Sequence, residues 1–240
     1  MIRSTLQALF LLCAAAGASL AHDTWIASSG ALAAGKPVTI YVRHGHHFPE
    51  SEEAVNASQL NLFAQAATGK RTSLKPAVKG SEVIAEFTPS AAGAHTLAFT
   101  QDRGVTSRTP KGVKQGGRDK NQDATQSSRT LRTAVAYVGA AVSKPAGLEV
   151  EIVGTFSGGA WTVQLLRNGK PLEGIAIEAF PAGAKSGRIA GKTGADGKLR
   201  YTPEAGAKKD LLFIAEFKHP APAGQAYDTV NFETSLHVTW

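Results

Sequence analysis

Past the first two dozen residues, apolar positions recur every second residue, the spacing of half-buried strands and not of amphipathic helices. Over residues 37–44, Val38, Ile40 and Val42 fall on one side. Val83, Ala85 and Phe87 share a side over residues 81–87, His95, Leu97 and Phe99 share the next, and residues 131–138 predict a further strand. Glycine and proline cluster between these runs, at residues 30–37, 69–76 and 89–93. A second series opens at residues 148–152 and continues through Trp161, Val163 and Leu165. Asn168-Gly169, with Pro171 just beyond, is the pair a type I′ hairpin turn demands. Residues 175–180 return, and Ala195-Asp196-Gly197 turns the chain into residues 198–201. Leu211, Phe213, Ala215 and Phe217 alternate, and Val230, Phe232, Leu236, Val238 and Trp240 close the chain on one face. Short strands at this spacing predict an all-β chain of two β-sandwich domains, residues 22–144 and 145–240, divided at Ser143-Lys144-Pro145. Between Phe99 and Leu131 apolar residues nearly vanish, so residues 103–130 are expected to form a flexible polar loop.

The first residues have a different pattern. Arg3 supplies a positive start, residues 6–16 an apolar run, and Ser19-Leu20-Ala21 a small-x-small cleavage site. Residues 1–21 therefore read as a cleaved export signal, and the mature chain is expected in the periplasm. The single cysteine, Cys13, lies within that signal, so the mature chain has neither thiol nor disulfide, and a metal site must use nitrogen and oxygen donors.

Net charge is +7, and much of it is local. Eight Lys or Arg (103, 108, 111, 114, 118, 120, 129 and 132) stand against Asp102, Asp119 and Asp123. No aromatic residue interrupts them, so there is no platform for stacking bases, and nucleic acid is not expected as a partner. Nor is there a nucleophile elbow, a His-Glu-x-x-His helix or a phosphate-cradling glycine loop.

Histidine carries the candidate chemistry. Cleavage after Ala21 makes His22 the first residue, offering a metal both its ring Nδ1 and an α-amine whose pKa of about 7.7–8.0 makes its proton easy to displace. Three of the seven histidines, His44, His46 and His47, crowd around Gly45. On an extended chain His44 and His46 point to one side and His47 to the other. If residues 23–27 pair antiparallel with 37–44 across a turn near residue 33, the new terminus arrives beside this cluster. Amine, His22 ring and one more imidazole then form a histidine brace, a tetragonal nitrogen set suited to Cu(II) or Ni(II). Asp23, Glu50, Glu52 and Glu53 can add oxygen donors or second-layer acceptors, although a solvated turn is the simpler account of the three glutamates. His44 shares its parity with core-facing Val42, which also suits a buried, hydrogen-bonded histidine. His95 reads as a core residue, His219 as a loop residue and His237 as part of a solvated strand face.

Ala21-His22-Asp23-Thr24-Trp25, Gly45-His46-His47-Phe48-Pro49-Glu50-Ser51-Glu52 and Arg167-Asn168-Gly169-Lys170-Pro171-Leu172-Glu173-Gly174 resemble the exported family labelled domain of unknown function 4198. That family is grouped with periplasmic components of cobalt/nickel uptake. The resemblance implies an immunoglobulin-like or transthyretin-like architecture and a role for His22 and residues 44–47 with a divalent transition metal: Cu(II), Ni(II) or Co(II). The resulting expectation is a non-enzymatic periplasmic metal carrier or uptake component that hands its ion to a membrane transporter or receptor. The rivals are a histidine-brace copper oxidative enzyme and an adhesion or structural module.

Overall fold

The computed structural model describes residues 23–139, 144–206 and 209–240. The expected signal at 1–21 and His22 lie outside the described residues. The strands in chain order are β1 (Asp23–Ser28), β2 (Val38–Gly45), β3 (Leu60–Ala66), β4 (Arg71–Leu74), β5 (Ala77–Lys79), β6 (Glu82–Phe87), β7 (His95–Thr109), β8 (Gly112–Gln115) and β9 (Gln126–Val138). They continue as β10 (Val150–Ser157), β11 (Ala160–Arg167), β12 (Lys170–Pro171), β13 (Ala176–Pro181), β14 (Arg188–Lys192), β15 (Lys198–Tyr201), β16 (Asp210–Pro220) and β17 (Thr229–Thr239). One 3-10 turn, Ala57–Gln59, precedes β3. Among the described residues no helix is long and apolar enough to cross a membrane.

Three sheets stack in layers. The central one has nine strands in the order β14-β13-β16-β17-β9-β7-β3-β4, with β8 added to β7. A front sheet, β1-β2-β6-β5, covers one face, and a back sheet of β10, β11, β12 and β15 covers the other. Side-chain alternation on the central strands decides which layer each residue meets. On β9, Ala134, Ala136 and Val138 enter the front core, whereas Leu131, Val135 and Tyr137 enter the back core. The β3 strand behaves likewise, with Leu62 and Ala64 forward and Phe63 back. β3, with apolar residues directed to both cores, shows no clean polar alternation, which is why the periodicity did not reveal that strand.

The all-β layered expectation holds, and each half of the chain supplies most of one core. The sheet nevertheless runs across the expected divide, because β17 pairs with β9 in parallel, from Thr229↔Ser128 to His237↔Ala136. The link after residue 144 is tied down on both sides. Glu151 accepts from the backbone N–H groups of Ala146 (2.6 Å), Gly147 (2.9 Å) and Leu148 (3.3 Å), and Arg71 donates to the Ala146 carbonyl.

Residues 103–130 differ from expectation. They are not a structureless loop: β7 extends to Thr109, β8 pairs back onto it, and β9 begins at Gln126. Hydrogen bonds hold this hairpin where apolar burial does not. Ser107 and Ser127 are buried with their hydroxyls 2.7 Å apart, and Asn121 Nδ2 reaches the carbonyls of Gln115, Gly116 and Gly117. Arg118 grips Asp228 through two nitrogens and Arg129 pairs with Asp102, so part of the local charge is spent within the fold. A search for apolar periodicity does not register such a polar interior.

Candidate functional site

The site grows from β1 and β2. Trp25 is fully buried and packs with Phe48, Leu212 and Ile214, which fixes β1 over the middle of the central sheet. Thr24 and Ile26 point the opposite way along the strand, and Ile26 joins the front core. Two hydrogen bonds from β17 strap the β1 backbone down: Ser235 Oγ donates to the Thr24 carbonyl (2.7 Å), and His237 Nδ1 donates to the Ile26 carbonyl (2.9 Å). His237 also meets Asp210 (2.7 Å) and the edge of Phe48. Its expected solvated face is therefore wrong, since β1 lies across it.

Antiparallel pairing of β1 with β2 sets Asp23 opposite Gly45 and Thr24 opposite His44. The antiparallel pairing of these two segments is as expected, and it centres on residue 34, one position past the expected midpoint of 33. His44 is 5% exposed. Its Nδ1 lies 2.9 Å from the Asp23 carbonyl and 2.8 Å from Thr24 Oγ1, and Nε2 lies 3.4 Å from Glu53. A carbonyl only accepts, so the Nδ1 of His44 carries a proton.

After β2 the chain folds back on itself. The Glu52 and Glu53 N–H groups return to the His44 carbonyl, Glu50 N–H to that of His47, and Ser51 Oγ bonds to Ser81 O. This return seats the Glu52 carboxylate against both outer histidines. Oε2 takes the Nδ1 of His46 at 2.8 Å, while Oε1 takes the His46 backbone N–H at 2.9 Å and the Nδ1 of His47 at 2.8 Å. These bonds, first that of the His46 ring, then its backbone N–H, then His47, hold the Glu52 carboxyl down to about 2. Gly45 makes room for the arrangement, because a Cβ there would sit 2.9 Å from Glu52 Cγ. Phe48 anchors the far side of the turn by packing edge-on against Trp25 (centroids 5.5 Å apart).

Beneath the start of β1 lies a bed of carboxylates. Glu216 and Glu233 pair across β16 and β17, and Glu233 pairs with Arg132 on β9, whose guanidinium is buried. Asp23 faces this group, and its carboxyl is pushed up to about 8, by burial first and then by Glu216, Glu178 and Glu233, with Arg132 opposing. Sequence reasoning noted Asp23 but missed Glu216, Glu233 and Arg132. Their only signal is that charged residues interrupt otherwise apolar strands.

The remaining histidines stand apart. His95 is buried, bonded to the Gly93 carbonyl and set against Phe87, as expected for the core. His219 is exposed at the end of β16. Among the described residues no group of three or more His, Asp or Glu is arranged to hold a metal ion.

The profile of the family described as Domain of unknown function (DUF4198) matches residues 19–207. The chain belongs to the DUF4198 family. The family span contains β1, β2 and the whole 44–53 turn, and it stops before β16 and β17, which supply the straps and the lower carboxylates. No curated protein matches the sequence. Among solved structures the chain is similar to a DUF4785 family protein from Legionella pneumophila subsp. pneumophila str. Philadelphia 1, at 10% identity and a TM-score of 0.29. That similarity covers 80% of this chain and 51% of the other, so the chain spans about half the length of that relative.

Proposed function

We propose that this DUF4198 protein is an exported carrier of a divalent transition metal, Cu(II), Ni(II) or Co(II), held at its processed amino terminus. The observation that carries the reading is the register of β1 on β2: the residue bonded to His22 lies opposite Gly45, between His44 and His46. Covalent geometry keeps the Cα of residue 22 within ~3.8 Å of that of Asp23. The reading takes the α-amine and ring of His22 as joining the Glu52-held imidazoles, and the carboxylates around Asp23 favour a cation over an anion. With Nδ1 of His46 and His47 donating to Glu52, their Nε2 atoms are the ring positions suited to ligation, the arrangement in which a carboxylate behind a histidine raises its basicity. The described residues do not make a complete donor set by themselves, so the reading requires His22.

Intact mass of the exported protein gives the first residue, and elemental analysis of the same sample gives the retained metal. Titration with copper, nickel, cobalt and zinc should then show tight binding by a chain beginning at His22. One extra residue before His22 should weaken copper binding at least about tenfold, equivalent to 1.4 kcal/mol. Unchanged affinity after that extension overturns the proposal. Ascorbate-driven peroxide release by the copper-loaded protein would replace carriage with oxidative chemistry.

A further inference from the structure

The polar hairpin that replaces the expected loop contains a groove of ≈ 340 Å³, lined by Gln59, Arg103, Gly104, Thr106, Gln115, Thr130 and one apolar residue, Val113. A break in the ladder aims Arg103 into it. The β7–β9 register shifts between Asp102 and Val105, and Gly104 takes φ +75°, a left-handed conformation that suits glycine. Asp102 secures this bulge by accepting from Gly104 N–H (2.9 Å) and pairing with Arg129. Bulges of this kind re-aim a side chain, and here the side chain is a cation.

Arg103, like Arg108 on the same hairpin, holds no partner among the described residues. Arg118, Arg129 and Arg132 each pair with a carboxylate, whereas Arg103 makes no hydrogen bond or ion pair among the described residues. Its side chain is open to solvent, and partial burial together with the nearby Arg132 lowers its pKa, with Glu233 and Glu53 opposing. Glu233 pairs with Arg132, and Glu53 stands 3.4 Å from Nε2 of His44. The same groove is lined by residues that carry hydroxyls and amides, Thr106 and Thr130, Gln59 and Gln115. Planar, two-pronged donation by arginine matches a carboxylate, and hydroxyl and amide neighbours match a ligand that carries alcohols. The volume falls within the range of small-molecule sites.

We propose that this groove binds a small hydroxycarboxylate, its carboxylate on Arg103 and its hydroxyl groups among the threonine and glutamine side chains. The site uses none of the histidines directly, and because Arg103 lies within electrostatic reach of Glu53 and Glu233 beside the histidine turn, its test is run without metal. The test is calorimetric titration of the metal-free full-length mature protein with citrate, with tricarballylate (the same acid lacking the hydroxyl) and with inorganic phosphate. Citrate should bind, tricarballylate should bind more weakly, and Arg103→Gln should weaken citrate about tenfold or more, as expected on losing a charge-assisted pair. Arg108→Gln, exposed on the same hairpin and outside the groove, should leave citrate affinity unchanged. Thr130→Val gives a second, uncharged check and should also weaken citrate. Equal melting temperatures for Arg103→Gln and the parent exclude misfolding as the cause. Absence of citrate binding, equal affinity in Arg103→Gln, or phosphate binding as tight as citrate overturns the proposal.

Discussion

Glu52 is one carboxylate serving two imidazoles, and its leverage comes from position, since it remains partly open to water. Replacing it with glutamine leaves the shape but removes the charge that fixes both Nδ1 protons. Glu52→Gln should reduce transition-metal affinity about 10–100-fold, the usual cost of losing an acceptor behind a ligand, measured by competition against a chelator of known strength. Gly45→Ala should act in the same direction, because the new methyl group displaces Glu52. A second carboxyl works oppositely. Glu216 is held above the ordinary carboxylate value of 4.5 by burial, then by Glu233 and Glu178. The folded chain therefore keeps this proton where the unfolded chain has released it, and stability is lost as pH rises above the unfolded value toward the folded one. Glu216→Gln should melt slightly higher than the parent near neutral pH, by a margin that solvent screening at this exposed side chain keeps small. The gap should close as pH is lowered toward about 4 and the carboxyl is protonated in both states. A thermal-melt series against pH reads both the sign and the window.

Single strands differ in how plainly the sequence reveals them, and the reason is what covers each face. β2, β6 and β15 have at most one fully covered face, so their alternation was legible, and β15 occupies Lys198–Tyr201 as read. The Asn168-Gly169 turn was equally plain, with φ +50° and +72°. β3 was hidden by apolar residues directed to both cores, and the 103–130 hairpin by a hydrogen-bonded interior. At the site, turn placement alone brought the start of β1 to the histidine end of β2. The role of Glu52 was not legible, because it depends on a reversal after Phe48 that carries no periodic signal. Nor was the cover over Ser235 and His237, which comes from a strand about two hundred residues away. Those two side chains make β1 a strapped element. Ser235→Ala leaves the buried Thr24 carbonyl without its side-chain donor and should cost about 1–3 kcal/mol, read from denaturant unfolding. Because Thr24 faces His44, the same variant should also weaken metal binding, and an unchanged affinity would show that the strap serves stability alone.

At the scale of the molecule, the two cores lie on opposite faces of one sheet, and this sharing bears on how the chain unfolds. The back core takes Phe63, Ala98, Leu131, Val135 and Tyr137 from the first half and packs them against Trp161, Phe213 and Phe232 of the second. Parallel pairing of β17 with β9 adds a ladder between residues about a hundred positions apart, a contact no local pattern announces. Residues 145–240 alone would bare those apolar partners and leave β17 as an open edge of eleven residues, a template for aggregation. Residues 23–144 alone would leave β9 open in the same way. The expected outcome of calorimetry on the mature chain is one endotherm, with equal calorimetric and van't Hoff enthalpies, despite a length at which two domains are common. Two resolved transitions would mean that the shared sheet transmits little between its faces. The same experiment reaches the candidate site, since β1 packs against β9 and β17 at the seam where the halves join. If unfolding is a single step, a metal that binds only the folded chain must raise the midpoint of the whole protein, by an amount set by its concentration over its dissociation constant.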